Sequence, residues 1–295
     1  MLSPWLDDPV AEETVAAWSD AVGLDLRRLG TTAEADEIKD TAVTQPLVVA
    51  TALLAAARLG GHVTLPERAP IAGHSVGELA AAAVAGVLPT DAAVALAAVR
   101  GREMAAACAL EPTGMSALLG GNPDDVLARL SELGLEPANM NGAGQIVAAG
   151  PLSALAALAE NPPERSRVKA LPVAGAFHTR FMAPAEDAVR THAAGIEPAD
   201  PERPLLSNAD GTVVTSGAEA LSRLVSQVTR PVRWDMCMAT LREREVTAVI
   251  ELPPAGALVG LVKRELKGTA TLALKTPDDL DAAAALVAEH AGAQA

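Results

Sequence analysis

Three long stretches in the first 110 residues carry apolar side chains at helical spacing, over residues 10–22, 44–59 and 90–108. Between the second and the third, a short apolar run over residues 69–72 leads into Gly-His-Ser-Val-Gly. An alanine-rich stretch over residues 78–85 follows that motif. This order predicts a buried strand, a tight turn that needs glycine, and a helix.

The predicted elements become shorter from residue 113 to residue 175. Asn141-Gly142 lies there between two apolar runs and marks a hairpin. The predicted elements are strand 114–119, helix 123–133, strands 135–140 and 145–149, helix 151–160 and strand 167–173. We therefore expect a small α+β subdomain over residues 113–175, inserted between the two parts, 1–112 and 176–295, of a larger domain.

Helical and strand patterns alternate after residue 176. The predicted helices cover residues 182–194, 218–228, 234–243, 258–266 and 277–291, and the predicted strands cover 204–207, 246–252 and 269–274. Such alternation is typical of a mostly parallel sheet that is covered by helices on both faces. The expected fold class of the larger domain is therefore α/β.

The composition of the chain limits the possible core, partners and cellular compartment. Half of the 295 residues are hydrophobic but only 2% are aromatic, so the core must consist of alanine, leucine and valine. The net charge of −14 disfavours nucleic acid as a partner. Two distant cysteines favour free thiols in a reducing compartment. The longest apolar run, residues 47–57, is too short to span a bilayer, and no secretory leader pattern opens the chain, so we expect a cytoplasmic protein without membrane contact.

The Gly-x-Ser-x-Gly motif around Ser75 suits a serine nucleophile at a strand-to-helix turn, although a serine that only caps the helix would give the same pattern. A nucleophilic serine needs a base. Of the five histidines, His178 is the best candidate because it lies where the inserted subdomain returns to the larger domain, although a packing role stays open. No set of His, Cys, Asp and Glu has the spacing of metal ligands.

Five stretches in order along the chain are together far more specific than the serine motif. They are Gly73-His74-Ser75-Val76-Gly77-Glu78, Val99-Arg100-Gly101, residues 139–145 (Asn-Met-Asn-Gly-Ala-Gly-Gln), Gly175-Ala176-Phe177-His178 and residues 227–234 (Gln-Val-Thr-Arg-Pro-Val-Arg-Trp). Over nearly the whole chain, this combination resembles the malonyl-CoA:acyl carrier protein transacylases of bacterial fatty-acid or polyketide synthesis.

The resemblance implies a hydrolase-like parallel-sheet core with an inserted ferredoxin-like subdomain, and a site between them. It implies that Ser75 and His178 form a dyad, that the main-chain carbonyl of Gln227 orients His178, and that the Val76 N–H holds the oxyanion. Arg100 is then expected to bind the malonyl carboxylate, which suits the fork of a guanidinium.

The resemblance also assigns substrate contacts to Met104, Phe177, His74, Asn139 and Gln145. Phe177 is expected to act as a steric filter. In related polyketide acyltransferases an Ala-Phe-His sequence goes with malonyl, and a Ser-His pair at this place goes with methylmalonyl.

The implied reaction is ping-pong transfer of malonyl from malonyl-CoA to the pantetheine thiol of acyl carrier protein, without a metal or redox cofactor. Carrier proteins are usually acidic, as this chain is, so a local basic patch is expected to overcome the repulsion. The candidates for that patch are Arg102, Arg180, Arg230, Arg233, Lys263 and Arg264.

Two departures from the family pattern leave alternatives open. Arg230-Pro231 replaces an Asn-Pro pair, and the chain begins Met-Leu-Ser-Pro-Trp where family members have an apolar strand and Gly-Gln-Gly-x-Gln. From the second departure we expect a missing oxyanion donor and low activity. One alternative is a serine thioesterase or esterase, in which Arg100 has no role. The other is a truncated paralogue that binds carrier protein without catalysis.

Overall fold

The computed structural model describes residues 1–291. Its first part is a group of helices: α1 Pro9–Val22, α2 Leu26–Thr31, α3 Thr41–His62, α4 Gly77–Val84 and α5 Thr90–Cys108. Helix α3 packs along α5, and α5 packs along a later helix, α8 (Ala183–Ala193). Asp8 caps α1 by accepting the Val10 N–H at 3.0 Å, and Gly23 ends the helix in the left-handed conformation.

A small α/β unit follows. Its elements are β1 Thr113–Gly120, α6 Pro123–Glu132, β2 Glu136–Gly142, β3 Gln145–Pro151, α7 Leu152–Glu160 and β4 Ser166–Ala170. The strands pair antiparallel in the order β4-β1-β3-β2, which with the β-α-β-β-α-β sequence is a ferredoxin-like arrangement. The fifth strand of this sheet, β7 (Val232–Arg233), comes from outside the segment and pairs parallel with β2.

The remaining elements complete the larger part of the molecule. They are α8, then β5 Leu205–Leu206, β6 Val213–Val214, α9 Gly217–Ser226, β7, α10 Trp234–Glu243, β8 Ala248–Glu251, α11 Ala257–Glu265, β9 Ala270–Ala273 and α12 Leu280–Ala291. Strands β8 and β9 pair parallel, and Ile71 forms a parallel bridge with Leu205. That bridge places the chain just before the serine turn beside the chain that leads to α9.

The two faces of the small sheet bury different apolar sets, because side chains alternate along a strand. Leu118 and Ile146 face the helices α6 and α7, whereas Ala117 and Val147 lie in a second cluster on the opposite face. Phe177 packs against both that second cluster and the main core of the helical part. The seam between the small sheet and the helices therefore passes directly beside His178.

Several predicted elements were wrong in extent. The strand expected over residues 69–72 is only a one-residue bridge at Ile71. The helix expected over 44–59 starts earlier and ends later, at Thr41 and His62, because Asp40 caps it by accepting the Ala42 N–H. Helix α2 was not predicted, since its six residues are too few to show a period.

Helix α3 is, within residues 1–291, the one helix long and apolar enough to cross a membrane. Of its 18-residue apolar window, 61% is buried inside the protein. Burial by protein is what a core helix shows, and the neighbouring helix α5 packs along it.

Candidate active site

The turn between Ile71 and α4 holds Ser75 in the left-handed conformation, with φ of 54°. A non-glycine residue rarely adopts this conformation, and such residues cluster at functional sites. Gly73 makes the turn possible, because a Cβ there would lie 2.1 Å from the Gly77 carbonyl oxygen. A Cβ at Gly77 would have no neighbour within 4 Å, so the need for glycine that we expected of this turn applies to Gly73 and not to Gly77.

Asn208 stabilises the serine turn through two hydrogen bonds of its side chain. Its side-chain Oδ1 accepts the Ser75 N–H at 2.8 Å, and its Nδ2 donates to the Gly73 carbonyl at 2.7 Å. Asn208 is fully buried and follows β5, which is the strand that bridges to Ile71. The same short stretch of backbone pairing therefore sets both the turn and the residue that holds it.

Ser75 and His178 are in contact. The distance between Ser75 Oγ and His178 Nε2 is 2.7 Å, and His178 Nδ1 lies 2.8 Å from the main-chain carbonyl oxygen of Gln227. A carbonyl only accepts, so Nδ1 carries the proton and Nε2 is left to accept the serine hydroxyl. The dyad is thus arranged for general-base activation of Ser75.

Burial keeps the imidazole neutral. His178 is 3% exposed, and desolvation, followed by the nearby Arg100 charge, lowers its pKa to about 3. A base must be unprotonated before it can take a proton, so this environment holds His178 in its working form at neutral pH.

Arg100 points from α5 toward the same oxygen. Its Nη2 donates to Gln227 Oε1 at 2.9 Å and lies 3.4 Å from Ser75 Oγ, and its Nη1 donates to Gln45 Oε1. The side chain is 2% exposed, and burial lowers its pKa to about 10. Arg100 therefore stays cationic at neutral pH beside the nucleophile, where a guanidinium can take an anionic group.

His74 lies in the same turn and contacts the small sheet and helix α10. Its Nε2 is 2.8 Å from Asn141 Oδ1, and its ring meets that of Trp234 edge to face at 5.6 Å. Burial lowers the pKa of His74, so it too is neutral. His74 thereby connects the serine turn to the tip of the β2–β3 hairpin.

The other predicted contact residues differ in how they reach the site. Met104 is buried in α5, and its Sδ accepts from Gln45, which also binds Arg100. Asn139 and Gln145 lie in β2 and β3. In the described residues 1–291 it is Asn141, and neither Asn139 nor Gln145, that forms a hydrogen bond to a residue of the serine turn.

The Val76 N–H lies at the start of α4 and, among residues 1–291, donates to no protein acceptor. It is adjacent to Ser75 in sequence and at the positive end of the helix dipole. An oxyanion that forms on a group attached to Ser75 would find this donor in place.

Sequence reasoning missed four polar residues that hold the site. They are Gln45, Glu78, Asn141 and Asn208. Three of them, Gln45, Glu78 and Asn208, interrupt apolar stretches, and a buried polar group needs a hydrogen-bond partner. That interruption was the available signal, but it does not say which distant residue is the partner.

Of the six basic residues proposed for a docking patch, three are in ion pairs: Arg102 with Glu103, Arg180 with Glu136 and Arg233 with Asp235. Arg230, Lys263 and Arg264 form no ion pair with any residue in the range 1–291. Within that range, the structure also contains no group of three or more His, Cys, Asp and Glu able to hold a metal ion.

The fold and the dyad define a serine-dependent acyl-transferring α/β protein. The acyl transferase domain model matches residues 8–289, and the chain belongs to this family. It is 62% identical, over 95% of its length and 93% of the relative, to a malonyl CoA-acyl carrier protein transacylase of Mycobacterium tuberculosis. It is 58% identical to the protein of that name from Mycolicibacterium smegmatis, over 95% of this chain and 98% of the relative.

Solved structures give the same result. A crystal structure of MCAT from Mycobacterium tuberculosis superimposes with a TM-score of 0.92 at 60% identity, covering 96% of this chain and 94% of that one. A type II PKS acyl-carrier protein in complex with its malonyl-transacylase gives a TM-score of 0.88 at 28% identity, with 97% and 94% covered. The predicted family and fold class are confirmed, and the esterase and non-catalytic alternatives are not favoured.

Proposed function

We propose that the protein transfers malonyl from malonyl-CoA to the pantetheine thiol of acyl carrier protein, through a malonyl ester on Ser75. The observation that carries the proposal is the convergence on one oxygen: Ser75 Oγ lies 2.7 Å from the neutral base His178 and 3.4 Å from the guanidinium of Arg100. A simple ester hydrolase has no need of that second contact.

In the first half-reaction, His178 Nε2 takes the Ser75 proton while Oγ attacks the thioester carbonyl of malonyl-CoA. The Val76 N–H stabilises the oxyanion. Collapse of the tetrahedral species breaks the C–S bond, His178 returns the proton to the CoA sulfur, and malonyl remains as an ester on Ser75. The Gln227 carbonyl, 2.8 Å from His178 Nδ1, stabilises the imidazolium that forms in between.

In the second half-reaction, the pantetheine thiol of the carrier protein replaces CoA. His178 takes the thiol proton, the thiolate attacks the malonyl ester, and the proton returns to Ser75 Oγ as the ester bond breaks. Each step moves only a proton and an acyl group, so the reaction as proposed uses no metal or redox cofactor.

Arg100 determines which acyl group is accepted in this proposal. A guanidinium binds a carboxylate with two parallel hydrogen bonds, and burial excludes the water that would compete. Met104, Phe177, His74, Asn139 and Gln145 complete the substrate site, with Phe177 limiting the space beside the reactive carbonyl.

We extend the proposal to the organisation of the chain. In this proposal residues 113–175 form the small subdomain and residues 1–112 and 176–295 form the large one, of which residues 292–295 lie outside the part that the structure describes. The cysteines, Cys108 and Cys237, are both free, as in a protein that works in the reducing cytoplasm.

We assign the binding of acidic carrier protein to Arg230, Lys263 and Arg264. No carboxylate in the described range forms an ion pair with these three residues.

Peptide mapping tests the nucleophile directly. The wild-type protein is incubated with labelled malonyl-CoA, quenched in acid and digested. We expect the label on the peptide that contains Ser75 and no labelling of Ser75→Ala, whereas Ser153→Ala, an exposed serine in α7, should label normally. A labelled peptide that excludes Ser75 would refute the assignment.

A further inference from the structure

Glu78 is a buried carboxylate to which the mechanism above assigns no role. It lies three residues after Ser75, in the first turn of α4, and is 4% exposed. An acidic side chain is rarely buried this deeply unless it is paired or fully hydrogen-bonded. Its partners therefore indicate what it does.

Those partners belong to the catalytic site. Glu78 Oε1 accepts the Asn208 N–H at 2.7 Å, and Oε2 accepts from Nε2 of Gln227. The same Nε2 lies 3.1 Å from the main-chain carbonyl oxygen of Ser75. Glu78 is thus bound to the two residues that hold, respectively, the serine turn and the histidine.

Besides Glu78, Gln227 binds two residues of the site, His178 and Arg100. Its main-chain oxygen accepts from His178 Nδ1 at 2.8 Å, and its side-chain Oε1 accepts from Arg100 Nη2 at 2.9 Å. The two ends of a primary amide are nearly the same in shape but opposite in hydrogen bonding. Something must therefore decide that the oxygen end of Gln227, and not the NH₂ end, faces Arg100.

We propose that Glu78 is a positioning residue that fixes the side-chain amide of Gln227 and thereby holds Arg100 in place for the acyl carboxylate. A carboxylate only accepts hydrogen bonds, so it selects the NH₂ end of the Gln227 amide and leaves the oxygen end for Arg100. This inference rests on the proposed function, in which Arg100 binds malonyl.

The electrostatics agree with this arrangement. Burial raises the pKa of Glu78 to about 7, while its hydrogen bonds and the Arg100 charge act in the opposite direction. In turn, the Glu78 charge opposes the fall in the pKa of Arg100. Glu78 and Arg100 are thus linked through the two ends of one amide, that of Gln227.

Glu78→Gln is the variant that separates this role from packing. A glutamine has nearly the same shape but offers one acceptor oxygen and one NH₂ group in place of two acceptors. The new NH₂ group then faces either the Asn208 N–H or the Gln227 NH₂ group. In the first case the Asn208 N–H loses its acceptor, and in the second the Gln227 amide is driven to turn over.

With malonyl-CoA and acetyl-CoA as the paired substrates, we expect Glu78→Gln to lower kcat/KM for malonyl on the order of 10-fold, the loss typical of one hydrogen bond to a charged group. The acetyl rate should change less, because acetyl presents no carboxylate to Arg100. Equal losses for the two acyl groups would overturn the proposal.

A second variant acts on the other partner. Gln227→Met keeps the main-chain carbonyl that binds His178 and removes the amide, so it should shift the malonyl-to-acetyl ratio in the same direction. In the double variant the two effects should not add, since Glu78 acts through Gln227. Fully additive losses in the double variant would overturn the proposal. An unchanged malonyl-to-acetyl ratio in Gln227→Met would also overturn it, and this ratio can be measured even if Glu78→Gln does not fold.

Glu251→Gln is the matched control. Glu251 is also a buried carboxylate, but it accepts N–H groups of Gly256, Leu258 and Val259 at the start of α11. Its loss should lower stability and leave the ratio unchanged. Labelling of Ser75 by malonyl-CoA is measured for every protein. Absence of label in the wild type contradicts the proposed function itself. A labelled wild type with an unchanged malonyl-to-acetyl ratio in Glu78→Gln and Gln227→Met contradicts only the role of Glu78.

Discussion

Ser75 and His178, 103 residues apart in sequence, meet at 2.7 Å with both backbones in the left-handed region, at φ of 54° and 61°. Each such residue costs about 1–3 kcal/mol and persists only where its surroundings enforce it. Asn208 enforces the first through the Ser75 N–H, and the Gln227 carbonyl fixes the ring of the second. The strain is therefore local to the dyad, while the contacts that sustain it come from distant segments.

Gly73→Ala should destabilise the protein and abolish labelling of Ser75. The new Cβ would meet backbone atoms of Gly77 and Glu78 at 2.1–2.5 Å, and these atoms cannot move without displacing the start of α4. We expect a loss of at least about 1–3 kcal/mol in the free energy of unfolding, the usual range for overpacking. Chemical denaturation measures it.

Gly77→Ala is the control for that experiment, because a Cβ at Gly77 has no neighbour within 4 Å. Its unfolding free energy should stay within about 0.5 kcal/mol of the wild type. If the two variants are equally stable, the turn is not crowded in the way we describe.

The acylation of Ser75 should persist in mild acid. Burial lowers the pKa of His178 to about 3, so the imidazole remains a neutral base as the pH falls through 6.5, where an exposed histidine becomes protonated. The rate at which a serine-directed phosphonate labels the protein should therefore show no inflection near pH 6.5. His178→Ala should lower that rate by about 10²–10⁴. An acid limb centred near 6.5 would contradict a buried neutral base.

Arg100→Ala should cost malonyl transfer far more than acetyl transfer. Truncating one partner of a buried charged pair typically costs about 2–5 kcal/mol, which corresponds to a loss on the order of 10²–10³ in kcat/KM for malonyl-CoA. Acetyl transfer should fall less or rise. Arg102→Ala lies in the same helix, is exposed and pairs with Glu103, so it should leave both rates near wild type. Equal losses for both acyl groups in Arg100→Ala would remove the role in selectivity.

Phe177→Ser should admit more methylmalonyl-CoA relative to malonyl-CoA. Phe177 is adjacent to His178, and its loss removes bulk at the seam between two apolar clusters. Phe181 packs against the same two clusters but is not adjacent to His178 in sequence, so Phe181→Ser controls for lost packing. The ratio of the two acyl products reports the change. A ratio that shifts equally in both variants, or in neither, argues against Phe177 as a filter.

The stability difference between the wild type and Glu78→Gln should depend on pH. Burial raises the pKa of Glu78 from 4.5 to about 7, so the folded protein binds the proton more tightly than the unfolded chain does. The stabilising contribution of the protonated group is present below pH 4.5 and is lost as the pH rises through 7. The wild type should lose on the order of 3 kcal/mol relative to the variant across this window. A difference that is constant with pH would show that Glu78 ionises normally.

The local patterns of the sequence determined much of the secondary structure and part of the site. Apolar periodicity predicted α1, α5 and the elements of the small sheet to within a few residues, because each carries its own apolar pattern. In α1 the Asp8 cap and the Gly23 stop add to that signal. The Gly-x-Ser-x-Gly spacing predicted the turn at Ser75, since the backbone there tolerates no side chain at Gly73. The hairpin after Asn141 follows equally from its glycines.

Only the tertiary structure decided which polar residues meet around the dyad that the resemblance implied. Glu78 and Gln227 are 149 positions apart, and Ser75 and Asn208 are 133 apart, so no local period or motif relates them. The same lack of long-range information explains why the strand expected over residues 69–72 was too long. Its apolar side chains are compatible with a strand, but the length of a strand depends on the neighbouring strand, and of these residues Ile71 alone pairs with Leu205. Buried polar groups find their hydrogen-bond partners among the residues that the fold brings close, and the choice of those residues depends on the packing of the whole chain.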